Sequence, residues 1–254
     1  VAYFALEGAL VGQFAHLYAC NREAARFYQE RYPHLSERVV HYRNMVDNER
    51  FYALASGERA ARRRALATEL GLAAETRFVL FAGRLHGQKD PLLLVRGFAR
   101  LTSADCCLLI AGAGELAPAV AAEVERLGLG ERVRLLGPLD QERLAELQQL
   151  AHVFALTSAY EGLPMVALEA LACGTPVVTT RAGDTPDLLI AGSGEVCAER
   201  TPEAVAAALA AVLDAPERYP AERCILAAQP FAARRVVADL CAPMLASWRA
   251  PSGF

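Results

Sequence analysis

What this chain of 254 residues lacks already excludes several chemistries. No apolar run reaches the roughly 20 residues that cross a bilayer, so no membrane-spanning helix is expected. Positive charge is not in excess: 26 Lys and Arg stand against 29 Asp and Glu, for a net charge of −3. The chain as a whole therefore has no nucleic-acid footprint, and no nucleic acid is expected as partner. None of its seven cysteines stands in a C-x2-C pair, and Cys106 and Cys107 are adjacent in an apolar run. They read as buried thiols in a reducing compartment, not as a zinc site or a disulfide framework. The opening stretch from Val1 to Phe14 has no basic segment ahead of it, so a signal peptide is not expected and a cytoplasmic location is. The first residue is Val1, not Met, and we expect the chain to begin inside a larger protein.

What is present suits one large domain or two small ones. Apolar residues make up 54%, enough for a substantial core, and charged residues 22%, near the usual figure for a globular protein. From about Arg77 onward, short apolar runs alternate with longer helical patterns. Candidate strands are 78–82, 107–111, 133–136, 153–156, 177–179 and 195–197. Candidate helices are 91–101, 116–127, 141–150, 164–173, 185–190 and 202–213. That alternation with short loops predicts an α/β fold, a Rossmann-like doubly wound parallel sheet. Residues 1–50 differ, with a helix over 21–32, a strand over 38–42 and a polar connection over 43–48. A helix over 58–70 then leads into the main domain, 51–230, and a last helix over 231–248 lies in a terminal piece, 231–254, whose final residues look frayed. Arg62, Arg63 and Arg64, with Arg59 nearby, read as a solvated helix face balanced by Glu58 and Glu69.

Ligands of open α/β sheets bind at the carboxyl ends of the strands, so the loops after the strands carry the information. After the first main strand, Gly83-Arg84-Leu85-His86-Gly87-Gln88-Lys89-Asp90-Pro91 offers a planar fork and a point charge suited to phosphate oxygens. After the second, Ala111-Gly-Ala-Gly-Glu-Leu-Ala117 matches G-x-G-x-x-A, so a nicotinamide site has to be weighed. It is not in the first βα unit, and no acidic residue sits about 20 positions on at a strand end. A tight turn beside a different nucleotide is the alternative reading. Gly137-Pro138-Leu139 follows the third strand and can be a base contact or only a turn. Asp184 or Thr185 reads as the N-cap of a helix, and His152, at a strand start, as structural.

The richest stretch is Glu161-Gly-Leu-Pro-Met-Val-Ala-Leu-Glu169. Pro164 suits the first position of a helix, which puts Glu161 in the loop before it and Glu169 in its second turn. At about 1.5 Å of rise per residue the two carboxylates stand on the order of 10 Å apart. That exceeds the about 5 Å of a retaining carboxylate pair, and suits gripping two hydroxyl-bearing parts of one ligand. The helix start between them favours a phosphate.

These loops in this order resemble the retaining glycosyltransferases of family 4, which have the GT-B fold. The matching stretches are Phe81-Ala-Gly-Arg-Leu85 with Lys89, Leu109 to Glu115, Val133 to Gly137, Ser158 to Val178, and Gly183 to Asp187, and the resemblance as a whole runs from about Asn44 to Leu213. The resemblance implies a donor-binding C-terminal domain holding a nucleotide-diphosphate sugar, with a UDP-sugar as the default, transferred to a hydroxyl acceptor the sequence does not name. It implies that Arg84 and Lys89 neutralise the diphosphate and that Glu161 contacts the donor sugar. Gly83 and Gly112 would belong to the donor loops, Gly162 and Leu163 would offer backbone N–H groups, Leu139 would meet the base, and Glu169 would bind the ribose hydroxyls. It implies no cofactor and no metal. Residues 1–50 resemble the end of the family's N-terminal acceptor domain, a remnant in this chain, and any peripheral membrane contact would lie in the rest of that domain. The family usually has an acidic residue where His152 stands, a glutamate at Asp187, and Asn-Gly where this chain has Asn44-Met45. The competing reading is a fragment or paralogue that binds nucleotide or nucleotide sugar without transferring it.

Overall fold

The computed structural model describes residues 7, 10–14, 16–19 and 22–249; most of the opening stretch 1–14 and the closing residues 250–254 fall outside them. The chain divides into two compact units, Val1–Asn44 and Met45–Phe254. In the first, β1 (Leu17–Ala19) and β2 (Val39–His41) pair in parallel, with α1 (Arg22–Arg31) between them in sequence. Ala19, Ala25 and Val39 form its small core, with Leu17 and Tyr28 packed against it.

The second unit holds the main sheet. Its strands are β3 (Arg77–Ala82), β4 (Cys106–Ala111), β5 (Val133–Gly137), β6 (Val153–Leu156), β7 (Val177–Thr179) and β8 (Gly194–Val196), all parallel, in the order β5-β4-β3-β6-β7-β8. The chain starts in the middle of the sheet, builds outward to β5, then returns to lay β6 on the free side of β3. This is the doubly wound order, whose topological switch point, between β3 and β6, is where such sheets open a ligand crevice.

The strands read as unbroken apolar runs because helices cover both faces. All six residues of β4 are buried, as are Phe78–Ala82 of β3. Side chains alternate across a strand, so Phe78, Leu80, Phe154 and Val177 enter one core cluster, while Val79, Phe81, Val153 and Val178 enter the other. The covering helices are α2 (Ser56–Glu69), α3 (Pro91–Phe98), α4 (Ala117–Arg126), α5 (Gln141–Leu150), α6 (Met165–Ala172), α7 (Pro202–Asp214), α8 (Ala221–Ala228) and α9 (Ala233–Arg249). Asp90, Asp140 and Thr201 cap α3, α5 and α7 by accepting from the backbone N–H of Leu93, Arg143 and Ala204. Among the described residues no helix is long and apolar enough to cross a membrane.

Three local expectations change. The helix expected over 185–190 is a 3-10 turn, Thr185–Leu188, with no side-chain cap at Asp184; Leu189 turns extended and ends it. Pro164 is the N-cap of α6, in extended backbone, so the helix begins at Met165. The arginines of α2 do not all face water. Arg59 donates to the carbonyls of Gly174 and Ala151, and Arg63 to those of Leu150 and Ala151. Helix C-termini expose unpaired carbonyls with partial negative charge, and these two side chains cover those after α5 and α6. Arg62 does remain outside, paired with Glu58 at 2.8 Å. His152 is structural: its Nδ1 accepts from the Phe78 N–H at 3.0 Å, and burial pushes its pKa down to about 2. Cys106, Cys107, Cys173, Cys197 and Cys224 are buried, and burial raises their thiols to between about 11 and about 12.

Candidate functional site

The loops leaving the carboxyl ends of β3, β4, β6 and β7 are tied into one surface. Loops after β3 and β4 continue the sheet for two more residues: Leu85 N–H donates to Ala113 O at 2.9 Å and Leu116 N–H to Leu85 O at 2.9 Å. Gly112 makes this possible. Its φ is +136°, and a Cβ there would stand 1.9 Å from the Gly83 carbonyl oxygen. The glycines of the G-x-G-x-x-A run therefore serve loop-against-loop packing, Gly112 against the Gly83 backbone and Gly114 against that of Leu85.

Across the switch point the β3 and β6 loops are joined by several bonds. Ala159 N–H donates to Gln88 O at 2.7 Å, Gln88 Nε2 to Tyr160 O at 3.1 Å, and Thr157 Oγ1 to Asp90 O at 2.9 Å. At the centre Lys89 Nζ meets Glu161 Oε1 at 2.5 Å, with side-chain exposures of 18% and 6%. The Ser158 hydroxyl donates to the same carboxylate oxygen at 2.5 Å, and Ser158 is itself fixed by Thr180 Oγ1 donating to its carbonyl at 2.6 Å. Gly183, in the β7 loop, has φ +53°, and a Cβ there would lie 1.8 Å from Glu161 O. Glu161 is thus held from three strands' loops at once.

Lys89 is aimed by its neighbour. Asp90 is in left-handed backbone, φ +42°, and is the one non-glycine residue with positive φ among those described. That conformation costs about 1–2 kcal/mol and persists where surroundings over-determine it. Here the Asp90 side chain caps α3 and pairs with Arg200, while its carbonyl takes the Thr157 hydroxyl.

Glu169 lies in the second turn of α6, partly buried, and its Oε2 is buried without a hydrogen-bond partner among the described residues. Burial raises its pKa above the usual carboxylate range, against the opposing pull of a Gln148 hydrogen bond and the Arg50 charge. Gln148, fully buried on α5, donates from Nε2 to Val166 O at 3.0 Å and so locks α5 to the start of α6.

The other expected residues are placed as follows. Arg84 is on the same loop as Lys89, exposed, and its guanidinium has no partner among the described residues. The structure does not bring it into contact with Glu161. Gly83 donates its N–H to Ala111 O at 3.0 Å. Gly162 is half-exposed, and Leu163 and Leu139 are half-buried against the core beneath the loops. His86 is committed to its own turn: Nδ1 accepts from Gln88 N–H at 3.1 Å, and Nε2 lies 3.6 Å from Glu115. Ser158, Gln88, Thr157 and Gln148 were not singled out from sequence. Ser158 stands three residues before Glu161, but a serine at that spacing carries no signal until the loop is folded. Among the described residues no group of three or more His, Cys, Asp or Glu side chains is arranged to hold a metal ion.

The arrangement offers a lysine, a nearly buried carboxylate, an exposed arginine, a helix N-terminus without a side-chain cap, and a carboxylate oxygen awaiting a donor. Cations and helix N–H groups receive phosphate; carboxylate oxygens receive hydroxyl donors.

Comparison with known proteins gives the family and the fold. The family model described as glycosyl transferases group 1 matches residues 62–229. A D-inositol 3-phosphate glycosyltransferase 2 from Catenulispora acidiphila is 35% identical over 185 residues, covering 68% of this chain and 42% of that protein. A D-inositol 3-phosphate glycosyltransferase from Geodermatophilus obscurus is 33% identical over 219 residues, covering 82% of this chain and 47% of that protein. The chain thus spans less than half the length of these curated relatives. Among solved structures, Anabaena HepE in complex with UDP and glucose superposes with a TM-score of 0.81 at 21% identity, covering 97% of this chain and 67% of that one. Sucrose-phosphate synthase from Thermosynechococcus elongatus gives 0.77 at 23%, covering 97% and 62%. At such identities the likeness is one of fold, the GT-B architecture.

Proposed function

This chain belongs to the glycosyl transferases group 1 family, and from that premise we propose that it binds a nucleotide-diphosphate sugar and takes part in moving the sugar to a hydroxyl acceptor. One observation carries the reading: at the β3/β6 switch point Lys89 and Glu161 are paired, and on the helix that follows Glu161 an unsatisfied carboxylate oxygen of Glu169 is in place. The diphosphate lies over Arg84, Lys89 and the start of α6. The hexose hydroxyls reach Glu161 and the N–H groups of Gly162 and Leu163, and the ribose diol supplies the donors that Glu169 Oε2 lacks. The base rests against Leu139. Lys89 has three N–H donors, so it can take a phosphate oxygen while keeping Glu161.

In the reaction we propose, the bond between the anomeric carbon and the diphosphate oxygen breaks, and the acceptor oxygen attacks the same face. The acceptor proton passes to a donor phosphate oxygen, and anomeric configuration is retained. Charge develops on the leaving diphosphate, where fixed cations and helix N–H groups stabilise it. The donor enters as substrate, with UDP as the first base to test: HepE was solved with UDP and with UDP-glucose. D-inositol 3-phosphate, named for the curated relatives, is the first acceptor to test.

A second reading is donor binding without transfer of the sugar. A thermal-shift panel of UDP-, GDP- and ADP-sugars tests binding, because a ligand of the folded state raises the melting temperature. Acceptor-dependent release of UDP separates the two readings. No shift with any nucleotide sugar would end both.

A further inference from the structure

On the amino edge of the sheet, at the opposite strand ends from the donor loops, lies a cavity of about 230 Å³. Arg59, Arg63, Arg77 and His152 line it, with Val212 and Tyr219 on its apolar side, and no Asp or Glu does. Of the three arginines, Arg77 is already neutralised by Asp105, which it holds at 2.8 Å. The other two are not. Both donate to Ala151 O, Arg59 at 3.3 Å and Arg63 at 2.7 Å, so the two guanidinium groups share one carbonyl. Their partners are carbonyls and the Thr175 hydroxyl, never a carboxylate.

Donor capacity is left over. Arg63 spends Nε on Leu150 O and Nη2 on Ala151 O, and its Nη1 has no partner among the described residues. The His152 Nδ1 accepts from Phe78 N–H, which places the proton of the neutral ring on Nε2, and Nε2 also has no partner among them. Arg59 Nε is buried and unpaired among the described residues. The cavity is therefore lined mainly by donors and positive charge: no carboxylate lines it, and neither Arg59 nor Arg63 has a carboxylate partner among the described residues. Both guanidinium groups are half-buried, and cations drawn out of water are ordinarily paired. Burial lowers the affinity of Arg63 for its proton to about 9, with the Arg59 charge adding to it.

We propose that this cavity is a second anion site, separate from the donor loops, and that it takes the phosphate group of a small phosphorylated ligand between Arg63 Nη1 and His152 Nε2. The apolar wall of Val212 and Tyr219 then faces the rest of the ligand. Arg59 and Arg63 also fasten the residues that follow α5 and α6, the helices that carry Gln148 and Glu169, so a ligand here sits on the supports of the donor site.

The test is a thermal-shift titration of the 254-residue chain with inorganic phosphate, against sodium chloride at matched ionic strength. A saturable rise is expected. It should survive Arg84→Ala and weaken at least ten-fold in phosphate affinity in Arg63→Gln and in His152→Asn, which keeps an acceptor for Phe78 N–H. A rise lost in Arg84→Ala and kept in Arg63→Gln would assign the phosphate to the donor loops and overturn the proposal, as would the absence of any rise beyond chloride. Should Arg63→Gln fail to fold, crystals of the unaltered chain soaked in tungstate decide the matter: an anomalous peak between Arg63 and His152 supports the site, and its absence overturns it. The nucleotide-sugar panel reads the donor site independently.

Discussion

Lys89 and Arg84 leave the same loop, yet the structure separates what their loss should do. Arg84 is exposed and unpartnered among the described residues, so Arg84→Ala should change folding stability by no more than about 0.5 kcal/mol. Lys89→Ala strips the cation from a Glu161 side chain that is 6% exposed. Removing one partner of a buried ion pair costs about 3–5 kcal/mol. The Ser158 hydroxyl still donates to that carboxylate and Lys89 is itself 18% exposed, so a cost near the lower end, about 3 kcal/mol, is expected. Removing both charges together, in Lys89→Ala with Glu161→Gln, should cost less than the sum of Lys89→Ala and Glu161→Gln made singly, because no uncompensated charge remains. Urea unfolding of the parent, the singles and the double measures the coupling. A UDP-sugar thermal shift on each variant should show the ligand-induced rise reduced in Arg84→Ala and in Lys89→Ala alike. Equal stability losses in Arg84→Ala and Lys89→Ala, or strictly additive losses in the double, would refute the pairing; a full ligand shift in either single would refute the phosphate role.

The remaining expectations concern the rest of the edge and the strand starts. Glu169 has a folded pKa above its unfolded one, so its contribution to stability falls as pH rises from the ordinary carboxylate range through the raised value; Glu169→Gln should flatten that fall in urea unfolding while weakening nucleotide-sugar binding, and an unchanged profile would contradict the buried, unpaired oxygen. His152 has a folded pKa depressed to about 2 by burial, then by the Arg63, Arg59 and Arg77 charges against Asp105. Its stabilising contribution is complete above the unfolded value of about 6.5 and is lost as pH falls below it, at up to about 1.4 kcal/mol per pH unit. His152→Asn should make the slope of stability between pH 6.5 and 4.5 shallower by about that amount, and an identical slope would place the ring in water. Gly183→Ala puts a Cβ 1.8 Å from Glu161 O at φ +53°; a stability loss of about 1–3 kcal/mol is expected, with a reduced ligand shift, and a neutral substitution would show that the two loops do not touch.

By itself the sequence determined most of the strands and helices, and it pointed to the loops where a ligand would be met. The apolar runs that became β3, β4 and β6 are legible because a sheet covered on both faces demands unbroken burial, and Glu161, Glu169, Arg84 and Lys89 stand where strands end. The 3-10 turn at Thr185–Leu188 and the inward arginines of α2 were not legible: a polar run near a helix looks the same whether it meets water or the carbonyls of another helix end. Tertiary structure alone decided that β6 lies beside β3. Nothing local encodes that adjacency, because strand order results from how whole βα units pack. Yet it is what brings Lys89 within 2.5 Å of a carboxylate 72 residues away, while the pairing of β6 with β7 presses Gly183 against the Glu161 backbone. Packing of the two helices on either side of β6 sets Gln148 beside Glu169, and one oxygen of Glu169 is buried with no donor among the described residues.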